Sequence, residues 1–400
     1  MQTFIVALAC GRPANPPGLM HTLHLQRLHH RFLSLTLALL AVAGLTGCGA
    51  GGTDFRPMAI GEEGVITVVV DSTRWRGEVG EALRNTLGEY IGTLPAPEPT
   101  FVLRPVKLTS SEQLDQLRQY KNIVFVAPLS DTTSEARYLM NVFDEQAQEA
   151  IRSGQQAVIS RPNLWRRGQQ VYYVSGATAA DVVAAIETRG VEMRRTFNDI
   201  TRARTQAEMF EKGRQQALED TLMNRHGFAV NVQHDYRIAV DTTRFVYLRR
   251  LLSDTWRNLY VHYVENADPS QLGPDWIYAT QDSLMRQFMQ GNVRGYAQID
   301  RRRPLTTENI DFLGRYGFET RGLWHVVERE NGELTYEGGM GGPFLTYAFY
   351  DEDSRRTYVI TGMVFAPGFD KREFLRQLEV IAHTFRTRQD VQRRANVASR

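Results

Sequence analysis

The run Gly64-Val65-Ile66-Thr67-Val68-Val69-Val70 constrains this chain more than any other stretch. A continuous apolar, β-branched segment without polar alternation must be covered on both faces, as in a parallel sheet with helices above and below. It ends at Asp71-Ser72-Thr73, where a capping residue precedes a helix expected from about Trp75 to Tyr90. A strand that runs into an aspartate at its carboxyl end invites a catalytic reading, because open α/β sheets bind ligands there. A haloacid-type phosphatase would need a second aspartate where Thr73 stands, and a metal-adhesion site a hydroxyl where Trp75 stands. Asp71 therefore reads as a helix cap.

Further along, Leu94-Pro95-Ala96-Pro97-Glu98-Pro99 is a rigid connector that can enter neither a ladder nor a helix interior. Strands are expected at 101–108, 122–127, 156–160 and 170–175, with helices at 111–120 and 133–143 between them. Residues 178–226 are helical in pattern, with apolar residues recurring at three, four or seven, and Gly190 and Gly213 are expected to break the run. Arg194, Arg195, Arg202 and Arg204 fill intervening positions and read as a solvated face. Strands follow at 236–240, 245–250, 259–264 and 293–299, with a helix at 274–290. Leu323–Arg329 and Glu333–Tyr336 flank Asn331-Gly332, a strong hairpin signal. Two more strands, 344–350 and 357–365, pair across Asp351-Glu352-Asp353-Ser354, and a last helix spans 370–386. The fold class is α+β: two linked α/β-type halves with mixed or antiparallel sheets, joined by a long helical segment.

The amino terminus is an address. Phe32–Leu45 is an apolar run of about 14 residues, too short to span a bilayer comfortably and suited to a signal-peptide core. Arg27 and Arg31 precede it, and Leu45-Thr46-Gly47-Cys48 closes it as a lipobox, with Cys48 as the lipid attachment residue. Met20 would start a conventional signal peptide by itself, so residues 1–19 read as a mis-called start. The expected organisation is a signal peptide at 1–47, a flexible tether at 48–60, an N-terminal α/β half at 61–177, a helical junction at 178–226, a C-terminal α+β half at 227–387 and a polar, frayed tail at 388–400. No acidic cluster follows Cys48, which favours a periplasm-facing anchor.

Composition removes several function classes. The formal charge of +2 includes +3 from residues 1–47, leaving −1 for the rest, which gives no footprint for nucleic acid. Beyond Cys48 there is no cysteine, so structural disulfides, a cysteine nucleophile and thiolate metal sites are excluded there. Of 47 basic residues only Lys107, Lys121, Lys212 and Lys371 are lysine, an excess of arginine that reads as compositional. His226, His234, His262, His325 and His383 lie in the body, and none forms a zinc-type helix pair. Neither a nucleophile elbow, a Walker loop nor a Ser-x-x-Lys pair is present. No catalytic residue, metal or cofactor is assigned. The remaining candidate is a glycine-dense loop, Gly338, Gly339, Met340, Gly341, Gly342, Pro343 and Phe344. Its successive N–H groups could form an anion nest. As a sheet connection, its glycines would supply left-handed backbone instead.

Taken together, several segments resemble a known family. They are the lipobox, Gly64–Val70 with Trp75-Arg76-Gly77-Glu78-Val79-Gly80, Leu94–Pro99, Arg321-Gly322-Leu323-Trp324, Met340–Phe344, and Lys371-Arg372 ahead of Gln377-Leu378-Glu379. This set resembles the bacterial lipoprotein family catalogued as domain of unknown function 4837, its most specific part being Met340–Phe344 with Arg321–Trp324 before it. The resemblance implies a Bacteroidota-type outer-membrane lipoprotein and supplies no activity. The expectation is a lipid-anchored envelope lipoprotein, held to the membrane through its N-terminal lipid, with an envelope protein or glycan as partner. A binding or assembly role is favoured over catalysis; the alternative is a hydrolase acting on an envelope polymer or peptide.

Overall fold

The computed structural model describes residues 54–211, 213–289, 295–330, 333–335 and 340–398. The leader with Cys48, the tether as far as Thr53, the Asn331-Gly332 turn, and Gly338 and Gly339 lie outside the described residues. Among the described residues the fold is α+β, as the sequence predicts: a mixed sheet and a larger antiparallel one, joined by a long helix.

The β-branched run forms β1 (Val65–Val69), buried along its whole length. Ile66, Val68 and Val70 enter the core on one face and Val69 that on the other. Asp71 caps α1 (Ser72–Arg76), accepting the Thr73 N–H at 2.7 Å. The single helix expected from Trp75 is split. Gly77 is extended at φ −99°, and α2 (Glu78–Thr86) restarts after it. The turn is so tight that a Cβ on Gly80 would lie 1.8 Å from the Trp75 carbonyl oxygen. Then come β2 (Val102–Val106), α3 (Ser111–Leu117), β3 (Asn122–Val126) and α4 (Ser134–Val142). Next are α5 (Glu145–Arg152), in a stretch with no expected element, β4 (Val158–Pro162) and β5 (Gln170–Val174). The order is β2-β1-β3-β5-β4, parallel except for β4.

Edge strand β2 is blunted. Val102 N–H bonds the Gly64 carbonyl and the Val106 carbonyl accepts from Val70 N–H, so the even-numbered residues face β1. The backbone groups of Leu103 and Pro105 point away from β1, and Pro105 has no N–H to offer an incoming strand.

Helix α6 (Ala179–Glu211) runs 33 residues, about 50 Å at helical rise. Gly190 does not break it. A Cβ there would lie 2.7 Å from Thr86 Cβ, so this glycine lets α2 cross closely. The expected break at Gly213 does occur, with φ +141° and α7 (Gln216–His226) beyond it. Val182, Ile186, Met193 and Phe197 of α6 enter the first core, while Met209 enters the second.

The chain continues through β6 (Phe228–Ala229), β7 (Arg237–Asp241), β8 (Phe245–Leu251), β9 (Trp256–Glu265) and α8 (Pro274–Phe288). Then follow β10 (Tyr296–Ile299), β11 (Thr306–Asp311), β12 (Tyr316–Glu330), β13 (Glu333–Thr335), β14 (Gly341–Asp351) and β15 (Arg356–Phe365). Nine strands form one sheet of order β10-β12-β14-β15-β9-β8-β7, with β11 and β13 also on β12. One face packs with α7 and α9 (Arg372–Ala382), the other with α8. Strand β16 (Arg386–Thr387) pairs with β6. The expected frayed tail is instead α10 (Arg388–Ala398). Asp390 holds it by accepting Thr387 N–H at 2.8 Å and pairing with Arg315 at 2.7 Å.

The arginine face of α6 is not simply solvated. Arg194 bonds the Thr86 carbonyl at 2.9 Å and pairs with Glu89. Arg204 forks onto Glu63 at 2.9–3.1 Å and reaches Asn122 and the Gly168 carbonyl. Arg202 meets Glu379 of α9 at 3.0 Å, and Arg195 alone of the four is exposed. From the connector, buried Glu98 accepts the Lys371 and Arg372 N–H groups, each at 2.8 Å, capping α9. Arg376 reciprocates, donating to the Thr100 carbonyl at 3.1 Å with its guanidinium over the Phe101 ring. Residues 56–400 thereby make one compact unit.

Candidate functional site

The two motifs singled out in the sequence meet as neighbouring strands. Gly322 stands opposite Phe344 and Trp324 opposite Gly342 in the β12–β14 register. Gly341 and Gly342 open β14 and are not left-handed, so they are not there for φ. What they supply is room. A Cβ on Gly342 would lie 2.0 Å from the Val364 carbonyl oxygen, and one on Gly341 would lie 2.6 Å from that of Trp324. The same Val364 oxygen accepts the Trp324 indole N–H at 3.2 Å. Phe344 is wholly buried, Pro343 is buried and Met340 half-buried, so the described part of the loop belongs to the sheet and its core.

Two histidine–carboxylate pairs are found among the described residues. His226 ends α7, 3% exposed, with Nε2 at 2.8 Å from Asp241. Its Nδ1 lies 3.2 Å from the Tyr263 phenol, which itself donates to the Thr243 carbonyl at 2.6 Å. Burial pushes the Tyr263 phenol up in pKa, which unsuits it as a nucleophile. His325 on β12 lies 3.0 Å from Asp300 and 3.1 Å from Arg302. The Arg302 hydrogen bond holds the Asp300 carboxyl well below its ordinary range against the opposing effect of burial. His383 bonds the Glu379 carbonyl, His262 the Arg244 carbonyl, and burial lowers both imidazoles. Among the described residues no group of three or more His, Cys, Asp or Glu is placed to hold a metal.

The most perturbed charges form a joint between α6, α9 and the large sheet. Burial would raise the Glu379 carboxyl, yet Arg321 and Arg202 hold it down to about 2. Arg321 lies 2.6 Å from Glu319 and 3.3 Å from Glu379. Perturbed groups often mark function; here they line neither of the two clefts described next.

The first cleft, about 490 Å³, lies over the β1–β2 face, floored by Val65, Thr67, Val106 and Leu117. Its charges are neutralised in place, Arg104 by Glu62 at 2.9 Å and Lys121 by Glu63 at 2.6 Å. The second, about 530 Å³, opens among the turns at one end of the large sheet and carries Tyr316, Tyr350, Glu352 and Asp353. Neither is lined by a histidine. Sequence reasoning missed both. The residues of the second come from positions 269–272, 313–316, 350–353 and 393, and only tertiary folding brings them together.

The fold and sites define an α+β protein built on two main sheets, with open clefts and an ion-paired joint. Residues 215–384 match the family model of domain of unknown function 4837. Residues 59–210 match a second family, domain of unknown function 8532, and hold the Gly64–Val70, Trp75–Gly80 and Leu94–Pro99 segments. No curated protein matches the chain. Two solved structures of Mog1 are similar at 11% identity, one being the Ran-binding protein Mog1p of Saccharomyces cerevisiae and the other a point variant. Each alignment covers 40% of this chain and 90% of the other, with TM-scores of 0.28 and 0.26, too low to carry an argument.

Proposed function

We propose that the chain is a lipid-anchored lipoprotein of the cell envelope, outer-membrane and periplasm-facing, that binds or assembles a partner rather than catalysing a reaction. The observation that carries the anchor is Leu45-Thr46-Gly47-Cys48 closing a short apolar run behind Arg27 and Arg31. Among the described residues no helix is long and apolar enough to cross a membrane. Support for binding comes from the clefts: both are open, and neither contains either histidine–carboxylate pair. Pro105 makes strand addition at β2 an unsuitable mode, which favours a ligand held by side chains.

Metabolic labelling with palmitate tests the anchor. Cys48→Ser is expected to abolish the label, and persistent labelling refutes this reading. Crosslinking in the native envelope followed by capture of the protein tests the binding role; a defined protein or glycan adduct is the expected result. The hydrolase alternative draws on the His325–Asp300 pair and requires turnover of an envelope polymer that His325→Ala abolishes.

A further inference from the structure

The cleft at the turn end of the large sheet has the chemistry of a sugar site. Tyr316 is 65% exposed, an uncommon placement for so large a ring. The ring is nonetheless fixed. Its phenol donates to Asn309 Oδ1 at 3.1 Å, and Phe318 meets it edge-on at 5.6 Å. Tyr350 shares the wall. Planar polar groups surround these rings, and their positions are set by one another. Arg315 grips Asp351 at 2.7 Å and Asp390 at 2.7 Å, while Arg393 pairs with Asp353 and, at 2.7 Å, with Asp390. Thr387, Arg393 and Arg315 hold the Asp390 carboxyl down to about 2 although burial opposes them.

Each alternative ligand class meets an obstacle. A fatty acyl chain or apolar peptide would strip water from the Arg315–Asp351 and Arg393–Asp353 pairs and from Glu352 without offering any of them a hydrogen bond. A phosphate or carboxylate would face Glu352 as well as Asp351 and Asp353, two of which already consume the local arginines. A cation would find those same two acids neutralised. A neutral polyol meets none of these objections, since vicinal hydroxyls both donate to carboxylates and accept from guanidinium, and the C–H face of a pyranose stacks on an aromatic ring. The volume falls within the range of about 300–1,000 Å³ usual for small-molecule sites.

We propose that this cleft binds a neutral saccharide, one pyranose ring lying on Tyr316 with its hydroxyls bonded by Glu352, Asp353 and Arg393. The proposal builds on the binding reading above and is independent of the anchor. Calorimetric titration of the full chain in detergent with N,N′-diacetylchitobiose, cellobiose and a trilysine peptide tests it. Millimolar or tighter binding of at least one disaccharide is expected, weakened about tenfold by Tyr316→Ala and at least about threefold by Glu352→Gln. Both positions are exposed, so unchanged melting of the variants separates lost binding from lost fold. Absence of heat with both sugars, equal affinity in Tyr316→Ala, or binding of trilysine alone overturns the saccharide assignment. The palmitate and crosslinking results would stand unaltered in that event, which keeps the two readings apart.

Discussion

Replacing Gly342 by alanine tests whether the glycine motif exists for packing. The added Cβ would stand 2.0 Å from the Val364 carbonyl oxygen. Ordinary carbon–oxygen contact begins at about 3.3 Å, so β14 and β15 must part locally by about 1.3 Å. That movement also displaces the acceptor of the Trp324 indole N–H. Overpacking in a well-filled interior costs about 1–3 kcal/mol, and the lost indole bond adds about 1 kcal/mol. Restricting the unfolded chain returns about 0.4–1 kcal/mol. The expected net loss is about 1–3.5 kcal/mol, read from urea midpoints by circular dichroism and tryptophan fluorescence. Gly92→Ala is the control, since no atom lies within 4 Å of a Cβ there and its φ is not left-handed; it should be neutral or slightly stabilising. Equal midpoints for the two variants would refute the packing argument and return the motif to a binding role.

Two further perturbations probe the joint between the halves. Glu98→Ala removes two charge-assisted bonds at the start of α9 and orphans two N–H groups, so about 3 kcal/mol should be lost; amide exchange in 372–382 should quicken first, and unchanged exchange there refutes the cap. Acid titration should lower stability in two stages. His383 and His262 have lowered imidazole pKa values in the folded state, so the unfolded chain takes up protons first and stability begins to fall below about pH 6.5. Glu379 is held at about 2 against an ordinary 4.5, so its contribution of about 3 kcal/mol is present above pH 4.5 and is lost as pH falls towards 2. In Glu379→Gln the urea midpoint should be lower at neutral pH and the profile flatter between pH 4.5 and 2; an unchanged slope would remove Glu379 as the cause.

Elements that bury both faces or alternate cleanly were legible, because their pattern is local. Strands β1, β3 and β5 follow continuous β-branched or aromatic runs, and the β14–β15 pair follows two long apolar stretches. Strand β11, Thr-Thr-Glu-Asn-Ile-Asp, was not, since it lies at an edge with mostly exposed side chains and a single apolar residue, Ile310, too little for a pattern. The glycines mark the boundary between local and tertiary information. Gly190 reads as a breaker on its own sequence, and only the approach of Thr86, far back in the chain, shows why it is tolerated inside a helix. Gly342 is conspicuous in any reading, yet its reason is a carbonyl on β15. The cleft at Tyr316 had no local signal at all. Its acids sit in Asp351-Glu352-Asp353-Ser354, which the sequence presents as an ordinary polar turn.

The arginine excess has a use that composition alone does not disclose. On α6, Arg204 divides its donors among the Glu63 carboxylate, the Asn122 side chain, the Thr201 hydroxyl and the Gly168 carbonyl. Arg315 likewise spans Asp351, Asp390 and the Leu313 carbonyl from a side chain only 10% exposed. Arg376 combines the Thr100 carbonyl with the Phe101 ring face. A lysine ammonium is a compact point charge with three donors and could not reach acceptors so spread, nor stack as a plane. Replacing Arg204 or Arg376 by lysine would leave part-buried acceptors unpaired, which is the expensive way to lose a hydrogen bond. Of these, Arg376 acts where the segments matched by the two family models, 59–210 and 215–384, meet. Arg376 joins the two segments, while Arg204 and Arg315 fasten elements on their own side, and each fixes one local geometry because several acceptors must be matched by one rigid plane.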